Sequence, residues 1–284
     1  MHKSVYDIIK MKKERKKISV ITSYDYTLAS LCDKAGLDIL LVGDSAGMVM
    51  LGYESTIPVT MDQMSLFTEA VSRARNNSLV VADLPFMSYQ TNIDDAIRNS
   101  GKLIKSGADA VKLEGGSEMA KTVKAITDIG IPVMGHIGLQ PQTTMLFQGY
   151  KVQGKTRDSA LKLIEDAKKL EDSGVFSIVL EMVSHEVAKI ISEKVSVPTI
   201  GIGSGSDCDG QVLVIQDLLG MYEKIKPKFA KQYMNLSEDI VKAVENYKNE
   251  IESGIFPSQV NWFSMDENEL KILREEIGRQ KKEK

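Results

Sequence analysis

Eight short apolar runs, rich in Val and Ile and apolar on nearly every residue, recur along the first 217 residues. They are ISVITSY (18–24), DILLVGD (38–44), LVVADLP (79–85), AVKLEG (110–115), PVMGHIG (132–138), FSIVLEM (176–182), VPTIGIG (197–203) and QVLVIQD (211–217). A strand that is continuously rather than alternately apolar is covered on both faces, which is the condition of a parallel sheet flanked by helices. Helical patterns fill most of the gaps. DQMSLFTEAVSRAR (62–75), TNIDDAIRNSGKLIKSG (91–107) and RDSALKLIEDAKKLEDSG (157–174) repeat apolar residues at i, i+3 and i+4, the last ending on Gly174 as a helix stop. SHEVAKIISEKV (184–195) opens on Ser184 in N-cap position. Eight strands alternating with helices predict a (β/α)₈ barrel, which runs to about 250 residues as a single unit. One barrel domain over 1–284, with further helices at 235–254 and 264–280, is therefore expected. One gap is defective: GSGSDCDG, between the seventh and eighth runs, is shorter than the ~10–12 residues of a full crossover. An open doubly wound sheet stays as the alternative.

Composition narrows the partners. Hydrophobic residues make up 43% and charged residues 26%, as in a globular domain, and the net charge of −3 gives no reason to expect nucleic acid or an anionic membrane. The two cysteines, Cys32 and Cys208, have no metal-binding spacing, so a reducing cytoplasm is the expected compartment. The start, MHKSVYDIIKMKKERKK, lacks the apolar core of a signal peptide, and no apolar run is long enough to span a bilayer.

Active sites of such barrels lie at the C-terminal ends of the strands. The second run ends in Asp44 and Ser45, the third carries Asp83, the fourth Lys112 and Glu114, the fifth His136 and the sixth Glu181. Any one carboxylate here could simply cap the next helix. That does not serve for all of them: Glu114 and Glu181 are poor caps, and Lys112 and Glu114, two apart on a strand, face one side. Several carboxylates at one mouth repel unless a cation neutralises them, and an oxygen-only set suits Mg²⁺ or a similar hard divalent ion. Lys112 could form a Schiff base with a carbonyl substrate, but Glu114 beside it favours the charged ammonium, so an electrostatic clamp is the better reading. His136 is either a satisfied core histidine or part of the site, its strand-end position favouring the site; His185, in a helix's first turn, reads as surface. GIGSGSDCDG (201–210) holds a weak glycine signal for phosphate and reads equally as a turn. The aperiodic stretch 135–156 reads as a lid or binding loop whose Gln, Thr and Tyr residues could line a pocket.

Read together, TSYDY, LVGDSAGMVMLGYESTIPVT, ADLPFM, AVKLEGG, GHIGLQPQ, GYKVQG, LEMV, IGIGSGSDCDGQVLV and ESGIFP, in order from about residue 3 to 257, resemble the ketopantoate hydroxymethyltransferase family. Ser204, where that family usually has alanine, and Cys208 depart from its pattern without touching the proposed chemistry, and the tail beyond about residue 258 has no counterpart in it. The resemblance implies a TIM barrel of the phosphoenolpyruvate/pyruvate superfamily type. It implies hydroxymethyl transfer from 5,10-methylenetetrahydrofolate to 3-methyl-2-oxobutanoate through a metal-stabilised enolate, the first committed step to pantothenate. It implies that Asp44, Asp83 and Glu114 surround Mg²⁺, that Ser45 and Lys112 touch the 2-oxo acid, and that Glu181 is the catalytic base; Asp44, Asp83 and, by its strand-end position, His136 are expected to join Ser45 and Lys112 in binding the substrate. It further implies a ring-like homo-oligomer, a decamer, with small molecules as the remaining partners. Two rival readings are a lyase on the same metal–enolate platform, which would want a cysteine in a strand-end loop that neither cysteine supplies, and a non-catalytic metabolite-binding barrel, which the intact strand-end carboxylates argue against.

Overall fold

The computed structural model describes residues 2–143, 151–224 and 226–280. The sequence predicts one domain across the chain; the chain divides into two compact units, 1–234 and 235–284.

The first unit is a closed barrel of eight parallel strands: β1 (Ile18–Thr22), β2 (Ile39–Val42), β3 (Leu79–Asp83), β4 (Ala110–Glu114), β5 (Val133–Gly138), β6 (Ser177–Glu181), β7 (Thr199–Ile202) and β8 (Gly210–Leu213). Each apolar run holds one strand. Closure is made by β8 on β1, in register from Ile18↔Gly210 to Ile21↔Leu213, and this excludes the open sheet. No helix lies between β7 and β8. The ring still closes, because β8 starts at Gly210 and two residue pairs suffice to dock it on β7.

Outside the ring run α1 (Val5–Lys13), α2 (Tyr26–Lys34), α3 (Ala46–Val49), α4 (Met61–Ala74), α5 (Ile93–Lys105), α6 (Ala120–Asp128), α7 (Arg157–Asp172), α8 (His185–Lys194) and α9 (Ile215–Leu219). Local chemistry sets their starts. Thr60 and Gln63 form a reciprocal capping box at α4, and Thr156 and Ser159 do so at α7. Ser184 stands at the head of α8 as predicted but does not cap it; its hydroxyl donates to the Gly154 carbonyl at 3.0 Å.

The period of two along each strand divides the apolar residues between two cores. Val20, Leu41, Val81, Ala110, Met134, Val179 and Ile200 belong to a cluster inside the ring, against which Val5, Ile8 and Ile9 of α1 also pack. Ile21, Leu40, Val80, Val111, Leu113, Ile178 and Leu180, one position out of phase, pack with the surrounding helices. Asp83, Lys112, Glu114, His136 and Glu181 share the parity of the inner set, so their side chains face the barrel axis.

One buried carboxylate holds a turn rather than the site. Asp33 of α2 accepts the backbone N–H groups of Asn76, Asn77 and Ser78 at 2.8–3.0 Å. Burial alone would raise its pKa; the N–H groups of Asn77 and Ser78 outweigh this and bring it down to about 2. A carboxylate depressed in the folded state stabilises the fold above its unfolded pKa and loses that effect as the pH falls through the folded value. Asp33→Asn is expected to cost about 2 kcal/mol at pH 7, read as a lower Tm, with the gap closing between pH 4 and pH 2. A gap independent of pH would mean that the charge is not what stabilises the turn.

The second unit carries α10 (Leu236–Glu252) and α11 (Glu267–Gln280), both predicted. Tyr247 and Phe256 stack edge to face there, with ring centroids 5.4 Å apart. No helix among the described residues is long and apolar enough to cross a membrane.

Candidate active site

All seven residues singled out in the sequence, Asp44, Ser45, Asp83, Lys112, Glu114, His136 and Glu181, line one cavity of about 390 Å³ at the C-terminal ends of the strands. Strand register assembles them. Asp83 is paired with Lys112 across β3 and β4, Glu114 with His136 across β4 and β5, and Gly138 with Glu181 across β5 and β6. Gly138 has a φ of +99°, and a Cβ there would lie 2.2 Å from the Glu181 carbonyl oxygen, so only glycine lets β5 turn past the end of β6. Asp44 and Ser45 follow β2 rather than lie on it. A Cβ at the intervening Gly43 would come 2.8 Å from Ser45 Oγ, so this glycine keeps the space around that hydroxyl clear.

Inside the cavity one buried cation sits among buried anions. Lys112 Nζ lies 2.9 Å from Asp83 Oδ1. Burial opposes its charge, but Asp83, Glu114 and Asp44 together more than reverse this and hold it as an ammonium. The carboxylates are not fully balanced by it. Burial and then the neighbouring charge of Asp83 push Asp44 up to about 7, against the pull of Lys112 and Gln142. Burial and then the charge of Asp44 push Glu114 well above the ordinary carboxylate range. His136 lies between the two glutamates, with Nδ1 3.6 Å from Glu114 Oε1 and Nε2 3.3 Å from Glu181 Oε2, neither contact meeting hydrogen-bond geometry. Burial lowers its pKa despite Glu181, which leaves the ring a neutral imidazole. His136 is thus part of the site and not an isolated core histidine, whereas His185 is exposed as predicted.

Sequence reasoning did not single out three residues that hold this cluster in shape. Gln142 donates through Nε2 to Asp44 Oδ2 and to the Leu84 carbonyl, both at 2.9 Å, while its backbone N–H donates to Glu114 Oε2 at 3.0 Å. Tyr89 donates to Gln142 Oε1 at 2.7 Å and receives the Glu114 N–H. Tyr24 lies 2.8 Å from Ser45 Oγ. The signal for Gln142 was present, since it falls in the aperiodic stretch whose glutamines were expected to line a pocket; residues 144–150 of that stretch lie outside the described residues. The two tyrosines sit in apolar surroundings that sequence alone cannot tell from core. Around this polar floor the walls are apolar, among them Met48, Met182, Ile202, Val214 and Phe229.

The chemistry of the donor set fits a hard divalent ion. It is all carboxylate oxygen, and burial, then the charge of a neighbouring carboxylate, pushes Asp44 and Glu114 toward protonation, which a bound cation would oppose. The expected cage of Asp44, Asp83 and Glu114 is not drawn together, however. Among the described residues no group of three or more His, Cys, Asp or Glu side chains is arranged to hold a metal. Instead, Lys112 pairs with Asp83, and Gln142 bridges Asp44 and Glu114.

Comparison with known proteins bears on the chemistry. Residues 2–259 match the family model described as ketopantoate hydroxymethyltransferase. The 3-methyl-2-oxobutanoate hydroxymethyltransferase of Nitrosopumilus maritimus (strain SCM1) is 80% identical over 278 residues, covering 98% of this chain and all of the relative. The protein of the same name from Cenarchaeum symbiosum (strain A) is 61% identical, covering 90% of this chain and 97% of the relative. Among solved structures, phosphonopyruvate hydrolase complexed with oxalate and Mg²⁺ superposes with a TM-score of 0.59 at 10% identity, covering 98% of both chains. A 2,3-dimethylmalate lyase, described as a PEP mutase/isocitrate lyase superfamily member, gives 0.56 at 14% identity, with both chains covered in full. At such identities these two structures speak for the fold alone.

Proposed function

The chain belongs to the ketopantoate hydroxymethyltransferase family, and on that premise we propose that it transfers a hydroxymethyl group from 5,10-methylenetetrahydrofolate to 3-methyl-2-oxobutanoate, giving ketopantoate on the way to pantothenate. The observation that carries the reading is the buried lysine ringed by carboxylates at the barrel mouth, with Glu181 in the same cavity as Ser45 and Lys112.

Each residue then has a task. The Lys112 ammonium, kept charged by its neighbours, offsets the negative charge of the substrate carboxylate and of the enolate that follows. Ser45 offers its hydroxyl to the 2-oxo acid. Glu181 takes the C3 proton, and His136, a neutral ring 3.3 Å from Glu181 Oε2, packs beside that carboxylate. Asp44, Asp83 and Glu114 would hold Mg²⁺ or a similar ion, which when bound supplies Lewis-acid stabilisation of the enolate. The enolate carbon forms the new C–C bond to the methylene carbon of the folate while that carbon's bonds to N5 and N10 break; one water supplies the hydroxyl oxygen, and tetrahydrofolate leaves with the C3 proton and the remaining water proton on its two nitrogens. The apolar walls keep other water from the carbanion. As the family resemblance implies, we take the working form to be a cytoplasmic homo-oligomer, a decamer, with small-molecule partners and neither nucleic acid nor membrane; the net charge of −3 agrees with the last two.

The test is mass detection of ketopantoate from the two substrates with Mg²⁺ present. A chain that binds 3-methyl-2-oxobutanoate without forming product would overturn the reading. Lys112 is expected to act as a charge and not as a Schiff base: borohydride added with substrate should leave no adduct, because its amine is not free to be neutral. A peptide mass carrying the reduced substrate at Lys112 would reverse that assignment.

A further inference from the structure

The cavity has a second side that none of the proposed catalytic residues occupies. Its volume of about 390 Å³ falls among pockets that hold ligands much larger than the 2-oxo acid, about 300–1,000 Å³. The charged cluster comes from the ends of β2 to β6. In the closed ring β7 and β8 complete the circle back to β1, and the lining there is of another kind. It consists of Ile202 of β7, Val214 after β8, and Tyr222 and Phe229 from the segment that follows α9. Phe229 is seated on backbone, since a Cβ at Gly203, just past β7, would meet its ring at 2.9 Å.

One carboxylate stands on this side. Asp217, in the first turn of α9, lines the cavity and also an adjoining one of about 130 Å³, which shares Tyr222 and Pro227 with it. The other carboxylates of the cavity have company: Gln142 holds Asp44 and Glu114, Lys112 pairs with Asp83, and His136 lies beside Glu181. Among the described residues nothing hydrogen-bonds to the Asp217 carboxylate or forms an ion pair with it. Lys228 lines the same cavity but is exposed and makes no ion pair with it. Asp217 is half-buried, and burial raises its pKa with no neighbour to lower it. Withdrawing a carboxylate from water without giving it a donor costs free energy, which a ligand carrying donors recovers.

A carboxylate accepts two parallel N–H bonds from a planar group with neighbouring donors. Beside an aromatic wall the fitting ligand is a flat heterocycle with two such donors on one edge. The pteridine of the proposed co-substrate has that edge, N3–H beside the 2-amino group, and its N5, which carries the transferable carbon, lies away from it. We propose that Asp217 anchors the folate: its carboxylate accepts the N3–H and 2-amino protons of the pteridine, whose ring lies against Phe229 on the β7–β8 side of the cavity. The inference rests on the reading of this chain as a folate-dependent hydroxymethyltransferase and names the residue that orients its second substrate.

Calorimetry with tetrahydrofolate, which carries no transferable carbon, tests this on the full chain with Mg²⁺ and 3-methyl-2-oxobutanoate present. Asp217→Ala is expected to weaken tetrahydrofolate binding about 10- to 100-fold, the loss of a charge-assisted contact. Its affinity for 3-methyl-2-oxobutanoate, measured without folate, should stay within about twofold of the wild type's, because that acid is held by other residues. The 2-desamino analogue of tetrahydrofolate lacks the exocyclic donor. It should bind the wild type more weakly than tetrahydrofolate does and lose less on Asp217→Ala, since part of the contact is already gone. Wild-type affinity for tetrahydrofolate in Asp217→Ala, or equal losses for tetrahydrofolate and its analogue, would overturn the inference while leaving the proposed reaction intact. An equal loss of 2-oxo acid affinity would do the same, as the mark of a structural role. A wild-type chain that does not bind tetrahydrofolate would overturn both. If Asp217→Ala does not fold, Asp217→Asn takes its place: it keeps one acceptor but sets a donor against a donor of the ring, and the same ranking of the two ligands is expected.

Discussion

Glu181→Gln is expected to bind Mg²⁺ and 3-methyl-2-oxobutanoate almost as the wild type does and to lose about 10²–10⁴-fold in turnover, the usual contribution of a general base. Glutamine keeps the shape and the contact toward His136 but cannot take a proton. The half-reaction gives the clearest measurement. In deuterium oxide the wild type should exchange the C3 proton of the 2-oxo acid without folate, seen by NMR as collapse of the methyl doublet. The variant should exchange slower by the same factor. Exchange at the wild-type rate would remove Glu181 from the role and pass it to His136, whose neutral ring lies next to it and could accept the proton.

Asp83→Ala is expected to abolish turnover and to weaken Mg²⁺ binding in the presence of the 2-oxo acid by more than tenfold. It should do so without unfolding the chain. Removing one partner of a buried ion pair commonly costs ~3–5 kcal/mol, but Lys112 would still have Glu114 and Asp44 near it, both of which already favour its charge. A Tm close to that of the wild type together with lost ion affinity would separate a ligand from a merely structural partner. Unchanged Mg²⁺ affinity in both Asp83→Ala and Asp44→Ala would remove the proposed ion site.

The barrel was legible because its signal is repeated and local. Eight separate runs carry the same mark of burial on both faces, and the C-terminal end of each strand is fixed once the strand is found. Asp83, Lys112, Glu114, His136 and Glu181 could then be placed on one inner face by counting in twos. What could not be read depends on contacts between distant segments. Gln142 reaches Asp44 across 98 positions of sequence, and Ile215 reaches Thr22 across 193. No periodicity encodes either. Ser184 shows the opposite error: the residue type was right for a cap, but the carbonyl of Gly154 offered its hydroxyl a better partner. The short β7–β8 connection kept an open sheet as an alternative for a different reason. A crossover helix covers a strand pair but is not what closes a ring, and the β1–β8 register does that by itself.

The crowding of carboxylates at the barrel mouth also makes the protein less robust than its architecture allows. Asp44 loses its proton near pH 7 in the folded chain, against an ordinary value of 3.8. A carboxyl group raised in this way opposes folding progressively as the pH climbs from about 4 to about 7, and the burden is complete above that. Glu114 is pushed in the same direction. Neutral amides at these two positions are therefore expected to raise the Tm of the ion-free barrel while removing two of the proposed ion ligands. Thermal endurance and the proposed ion site thus pull in opposite directions at Asp44 and Glu114, and an engineer seeking a tougher barrel would reach these two positions first.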